Sequence, residues 1–241
     1  MDLFEGYVGI KIGDDQLVDD VLFSLLFGLL VLFALVFRSN YRLFAKMVRD
    51  VFFVKERLSL FDTVAGNEFV FKNFMTIQAL FLCSLFAFSI GEQYEGLYLP
   101  DIKLNLFSIA VLFILILLFY FFKQLIYYMF GNIFAGADKY RFWRTNYDAI
   151  TGFWGILLYF PVFWTILVGI YIEISVILFV FLYILYRFFV IYKTIRIFNV
   201  KRSGFLYIFL YLCGQEILPL IFIYKGMIYL YNIIEKSALW H

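Results

Sequence analysis

The chain has 241 residues, of which 65% are hydrophobic, 24% aromatic and 16% charged, against roughly 45–50% apolar and 25% charged in a soluble domain. A water-soluble chain of this length cannot bury so much apolar surface. The apolar residues fall in runs near the ~20 that a helix needs to cross a ~30 Å hydrocarbon layer. Twenty Lys/Arg against 18 Asp/Glu leave a formal net charge of +2, which makes no case for nucleic acid, so charge is informative here only by position.

The first 20 residues hold Asp2, Glu5, Asp14, Asp15, Asp19 and Asp20 against the single Lys11. A cleavable signal peptide opens on a basic region, so segment 1–20 is expected to be retained. Val21 to Phe37 is free of charge and is followed by Arg38, Arg42, Lys46 and Arg49. The positive-inside rule then places residue 1 outside and Arg38 in the cytoplasm. Continuing along the chain gives an all-α, polytopic bundle of about six spans, near 21–37, 74–90, 106–122, 149–170, 175–192 and 204–224. Segments 38–73, 123–148 and 187–202 are cytoplasmic in this arrangement and carry sixteen of the twenty Lys/Arg. The expectation is a multi-pass protein of a bacterial inner membrane with both termini in the periplasm. The tail, 225–241, is interrupted by Glu235 and Lys236 and is expected to lie along the outer interface. Pro161 and Pro219 fall inside spans, where each removes a helical N–H and is expected to kink its helix.

Between the first two spans, Leu43, Phe44, Met47, Val48, Val51 and Phe52 recur at helical spacing with Arg42, Lys46, Arg49 and Asp50 opposite. This predicts an amphipathic cytoplasmic interfacial helix over Tyr41 to Phe52, anchored on anionic lipid by Arg42, Lys46 and Arg49. The alternative reading is a docking surface for a cytoplasmic partner. Val54 to Phe61 alternates like an extended segment, and Asp62 to Asn67 is turn-like.

Gly131 and Ala135 have the spacing of a small-residue helix contact. The following Tyr140, Trp143 and Arg144 read as an aromatic belt with basic anchors rather than a nucleic-acid surface. Asp138 and Asp148 are ten residues apart, unlike carboxylates spaced to share a metal. Cys83 and Cys213 both fall in apolar spans, and the only histidine is His241. These positions support no disulfide framework, zinc site, bis-His haem or histidine-based catalysis. No catalytic residue, metal ligand or cofactor is expected.

Glu216 is the costly residue, because an ionised carboxylate within a span costs roughly 2.5–3.5 kcal/mol or more unless paired or protonated. Pro219 cannot donate to the carbonyl of Gln215, so Gln215, Glu216 and Pro219 form a polar site in an apolar helix. Arg187 is the ion-pair partner expected for Glu216, although it has the alternative of snorkelling to the cytoplasm. The site reads as structural glue between helices, as a proton or substrate site, or as a protein-docking site.

Tyr211-Leu-Cys-Gly-Gln-Glu216-Ile-Leu-Pro219 with Ile223-Tyr-Lys225 resembles the C-terminal signature of a membrane-protein family of Bacteroidota catalogued as domain of unknown function 4271. Lys55 to Phe61 resembles its cytoplasmic loop, and Phe134 to Lys139, Trp143 and Gly155 to Pro161 resemble its central helix pair. The resemblance covers about residues 20 to 230. It implies a helical inner-membrane protein of a Gram-negative envelope and supplies no activity. The function expected is a non-enzymatic subunit or scaffold of an envelope complex, in protein export or envelope biogenesis. Its partners would be membrane lipid and other inner-membrane proteins, with a homo-oligomer left open. The alternatives are a small carrier or lipid-handling protein using Glu216, and an interfacial enzyme using Asp138 and Asp148.

Overall fold

A backbone in hydrocarbon must satisfy its polar groups within its own segment, which leaves a long apolar run one solution, the helix. The computed structural model describes residues 14–52, 66–95, 102–134, 137–169 and 171–197, and their regular structure is all helical. Helices α1 (Asp14–Ser39), α2 (Tyr41–Phe52), α3 (Gly66–Glu95), α4 (Ile102–Phe134), α5 (Ala137–Leu157), α6 (Tyr159–Phe163) and α7 (Ile172–Ile197) follow in chain order, with a π-helical turn over Trp164–Val168. Five stretches are long and apolar enough to cross a membrane: Asp20–Ser39, Glu68–Gln93, Lys103–Met129, Tyr140–Val168 and Ile172–Ile197. The protein is a helical multi-pass membrane protein. The sixth expected span, 204–224, lies outside the described residues.

Helix α3 and the stretch from α5 through the π-turn are central and mostly buried, whereas α1 and α4 are largely exposed. Small residues make this possible. A Cβ added to Gly155 of α5 would lie 2.6 Å from Ala79 Cβ and 3.1 Å from Ala79 Cα, so the two helices touch backbone to backbone. Gly152, one turn earlier, faces Met75 of α3 and Met47 of α2. Aromatic pairs fill the α3–α5–α7 interior, with Phe86 stacked on Phe179 at 4.3 Å and Trp154 on Tyr186 at 4.8 Å. Offset stacking of this kind adds to area burial.

The 33 residues of α4 make a helix of about 50 Å, longer than the hydrocarbon layer. The surplus is at the end that carries α2. There α4 and α5 run antiparallel, with Tyr127 against Trp143 and Tyr147, and Tyr128 against Tyr140. Segment 123–148, expected between two spans, is therefore mostly a continuation of two helices joined at residues 135–136. The side chains of Gly131, Ala135 and Asp138 lie outside the described set, as does segment 54–65.

Helix α2 follows α1 after the single residue Asn40, whose backbone and side-chain amides donate to the Val36 carbonyl while its own carbonyl accepts from Phe44. The apolar face expected from its periodicity packs on protein: Met47 and Val51 are buried, and Phe52 meets Phe153 and Phe189 edge-on.

At the opposite end, α5 stops at Leu157, whose carbonyl is the one that Pro161 cannot bond. The chain continues through Leu158 into α6 and then opens into the π-turn, closed by Gly169 N–H to Trp164 O at 3.3 Å. Gly169 has φ +61°, a left-handed conformation that costs glycine little. The Pro161 carbonyl, which the Trp164 N–H also reaches, accepts from Thr165 Oγ1 at 2.9 Å and Ser175 Oγ at 2.7 Å.

Candidate functional site: a buried charge cluster at the α2 end

Helices α2, α3, α5 and α7 bring polar side chains together at the α2 end. Glu68, in the first turn of α3, accepts from Lys46 of α2 and from Lys72 of α3, each at 2.8 Å. Its position in the first turn also sets the carboxylate against the positive end of the helix dipole. Glu68 and Lys72 are only 7% and 6% exposed, so the pair between them is desolvated and breaking it is costly.

A second node lies on α7. Lys193, 1% exposed, donates to Asn146 Oδ1 of α5 at 2.8 Å and to the backbone carbonyl of Asp50. That carbonyl belongs to the last turn of α2, where backbone acceptors lack helical partners. A lysine from another helix thus caps α2. One turn along, Trp143 Nε1 donates to Thr194 Oγ1 at 2.9 Å. Deeper in the same α5–α7 seam, Tyr186 donates to Tyr147 at 3.0 Å, and Thr151 Oγ1 lies 3.3 Å from the Tyr186 hydroxyl. On the α4 side of α5, Asp148 faces Tyr120 and has Arg144 Nε at 4.0 Å.

The Asp50 carboxyl, outside the spans, is raised above the ordinary aspartate value near 3.8, first by burial and then by Glu68, against the pull of Lys72, Lys46 and Lys193. A carboxyl raised on folding binds its proton more tightly in the native state, so it costs stability at neutral pH. That cost is relieved as pH falls toward the window just above 3.8. Asp50→Asn is therefore expected to raise the thermal midpoint at pH 7 and to remove this gain on acidification. Parallel melts of the two proteins from pH 7 to pH 4 check it, and identical pH profiles would refute it.

Of the residues singled out from sequence, Arg42 and Arg49 are exposed, while Lys46 turns inward to Glu68. Arg187 reaches back one turn: its guanidinium donates to the Tyr183 hydroxyl and lies over the Tyr183 and Tyr186 rings, at 4.8 and 5.7 Å. That turn is toward the start of α7, away from the α2 end. Gln215, Glu216 and Pro219 lie outside the described residues. Sequence reading missed Glu68, Lys72 and Lys193. The i, i+4 spacing of Glu68 and Lys72 was the one local signal for any of them. Among the described residues, no three His, Cys, Asp or Glu side chains are placed to hold a metal ion.

A family model described as Domain of unknown function (DUF4271) matches residues 22–227. No curated protein and no solved structure matches the chain.

Proposed function

We propose that this chain, which belongs to the DUF4271 family, is a non-enzymatic integral subunit of a multi-protein membrane assembly serving protein export or envelope biogenesis. The observation that carries the reading is the α3–α5 contact, in which Gly155 leaves no room for even one added carbon beside Ala79. Packed interiors have discrete arrangements rather than continuous ones, so two central helices joined in this way hold one spacing. Carriers work by rocking one helical group against another, whereas a subunit needs a fixed body. The body here presents exposed Phe, Leu and Ile side chains along α1, α4 and α7 to lipid and neighbouring proteins.

The setting follows from the charge bias and the resemblance drawn from sequence: a bacterial inner membrane, with the α2 end in the cytoplasm and both termini in the periplasm. The test is gentle extraction from the native host at endogenous expression, with mass measurement of the intact particle and identification of its components. The expected result is a stoichiometric complex with other membrane proteins. A lone monomer or homo-oligomer would overturn the proposal and favour the second reading, a small carrier or lipid-handling protein using Glu216.

That second reading draws on one observation, the guanidinium of Arg187 held inside a span by Tyr183. Glu216→Gln separates the two. In a subunit it leaves assembly and host fitness intact, whereas in a carrier it abolishes activity at unchanged expression.

A further inference from the structure

Helix α2 carries four charged side chains, and the fold sorts them. Lys46 turns in to Glu68, and Asp50 lies among Lys46, Glu68, Lys72 and Lys193. Arg42 and Arg49 are exposed, as is Arg38 at the end of α1. Among the described residues no carboxylate pairs with any of these three arginines. The sorting has a chemical logic. The ammonium groups, compact point charges, serve the internal cluster, while the guanidinium groups, whose forked donors match two phosphate oxygens at once, are left outside.

We propose that the α1–α2 elbow is a docking platform for anionic phospholipid, with Arg38, Arg42 and Arg49 taking headgroup phosphates. Three observations place a lipid there. The arginines begin where the charge-free run 21–37 ends, at headgroup level rather than out in water. The buried part of the apolar face of α2 is already occupied by protein through Met47 and Val51, while Tyr41 and Phe52 at its two ends remain exposed for the interfacial zone. Finally, α2 is fastened near its middle by Lys46–Glu68 and at its last turn by Lys193 on the Asp50 carbonyl. The arginines are thus displayed on a fixed helix, and less ordering is lost on binding than on a free amphipathic segment. Arg42 and Arg49 stand two helical turns, about 10 Å, apart, far enough to engage separate phosphates. The inference holds whether or not the chain is an assembly subunit.

The test uses the full chain in neutral detergent. Dioctanoyl phosphatidylglycerol or phosphatidylcholine is titrated in, and retained lipid is read from native mass spectra. Phosphatidylglycerol is expected to be retained in preference to phosphatidylcholine. Affinity should fall about fivefold for each arginine changed to glutamine, and on the order of a hundredfold in the R38Q/R42Q/R49Q variant. Arg196→Gln, an exposed arginine on α7, should change nothing. If the triple variant does not fold, Arg49→Gln alone carries the fivefold comparison. Equal retention of the two lipids by the unaltered chain overturns the proposal. So does an unchanged triple variant, which would leave the face to an acidic protein segment, and so does competition by free glycerol phosphate as strong as by the lipid.

Discussion

Gly155→Ala should lower the stability of the bundle by about 2–3 kcal/mol, and Ala79→Gly in the same chain should recover much of the loss. The added methyl would lie 2.6 Å from Ala79 Cβ and 3.1 Å from its Cα. Neither atom can move without moving α3, and overpacking that shifts backbone costs typically 1–3 kcal/mol. Removing the Ala79 methyl restores room, although glycine within a helix itself costs about 1 kcal/mol relative to alanine. Each single change is therefore harmful and the pair is less harmful than their sum, which is a coupling that a double-mutant cycle measures. Gly152→Ala provides the comparison. Its nearest neighbour, Met75 Cβ at 3.0 Å, needs to give by only a few tenths of an ångström, and Met47 Sδ at 3.2 Å belongs to a thioether that can swing aside, so a loss of about 1 kcal/mol is expected. The measurement is the thermal midpoint of each variant in one detergent. A Gly155→Ala protein that melts like the parent would refute the close contact and remove the support it lends to a fixed body.

The helices were legible in sequence because one force dominates them. Five long apolar stretches lie in helices of the described chain, and the spacing of Met47 and Val51 foretold which side of α2 would be buried. It did not foretell what would cover that side. Periodicity reports that a face is apolar, and an apolar face is equally content against lipid or against Gly152 and Phe153. The charge cluster was illegible for a related reason. Lys46 and Glu68 are 22 residues apart, and Lys193 and Asp50 are separated by 143. Counting charges toward topology treats each as a solvated cation or anion, and only the tertiary fold shows that Lys193 has no water to meet. Gly152 and Gly155, three apart and both facing α3, were the neglected signal, since small residues on one helix face let a neighbouring backbone approach closely. Pro161 was legible as a break. The consequence that its own carbonyl would gather Thr165 and Ser175 depends on how α7 returns, which no local pattern encodes.

Glu68→Gln should cost about 3 kcal/mol, because one substitution removes the partner of two ammonium groups. Losing one member of a buried ion pair typically costs 3–5 kcal/mol, mostly through the charge left uncompensated. The lower end applies because the Lys46 side chain is 38% exposed and water can solvate it, whereas the Lys72 side chain is 8% exposed and has no such recourse. The expected order of destabilisation is therefore Glu68→Gln above Lys72→Met, with Lys46→Gln smallest at about 1 kcal/mol or less. Glu68→Gln combined with Lys72→Met should melt above Glu68→Gln alone, since the second change removes the stranded cation. Hydrogen exchange should locate the damage in α2, where Lys46 would lose its anchor. This variant also separates two accounts of lipid retention. It makes the α2 end more positive, so if binding only summed charge, phosphatidylglycerol would be held more tightly. If retention instead needs Arg42 and Arg49 displayed on a fastened helix, it should fall although no arginine has changed. Tighter binding in Glu68→Gln would show that the arginines need no scaffold, whereas weaker binding would tie the buried cluster to the surface it holds in place.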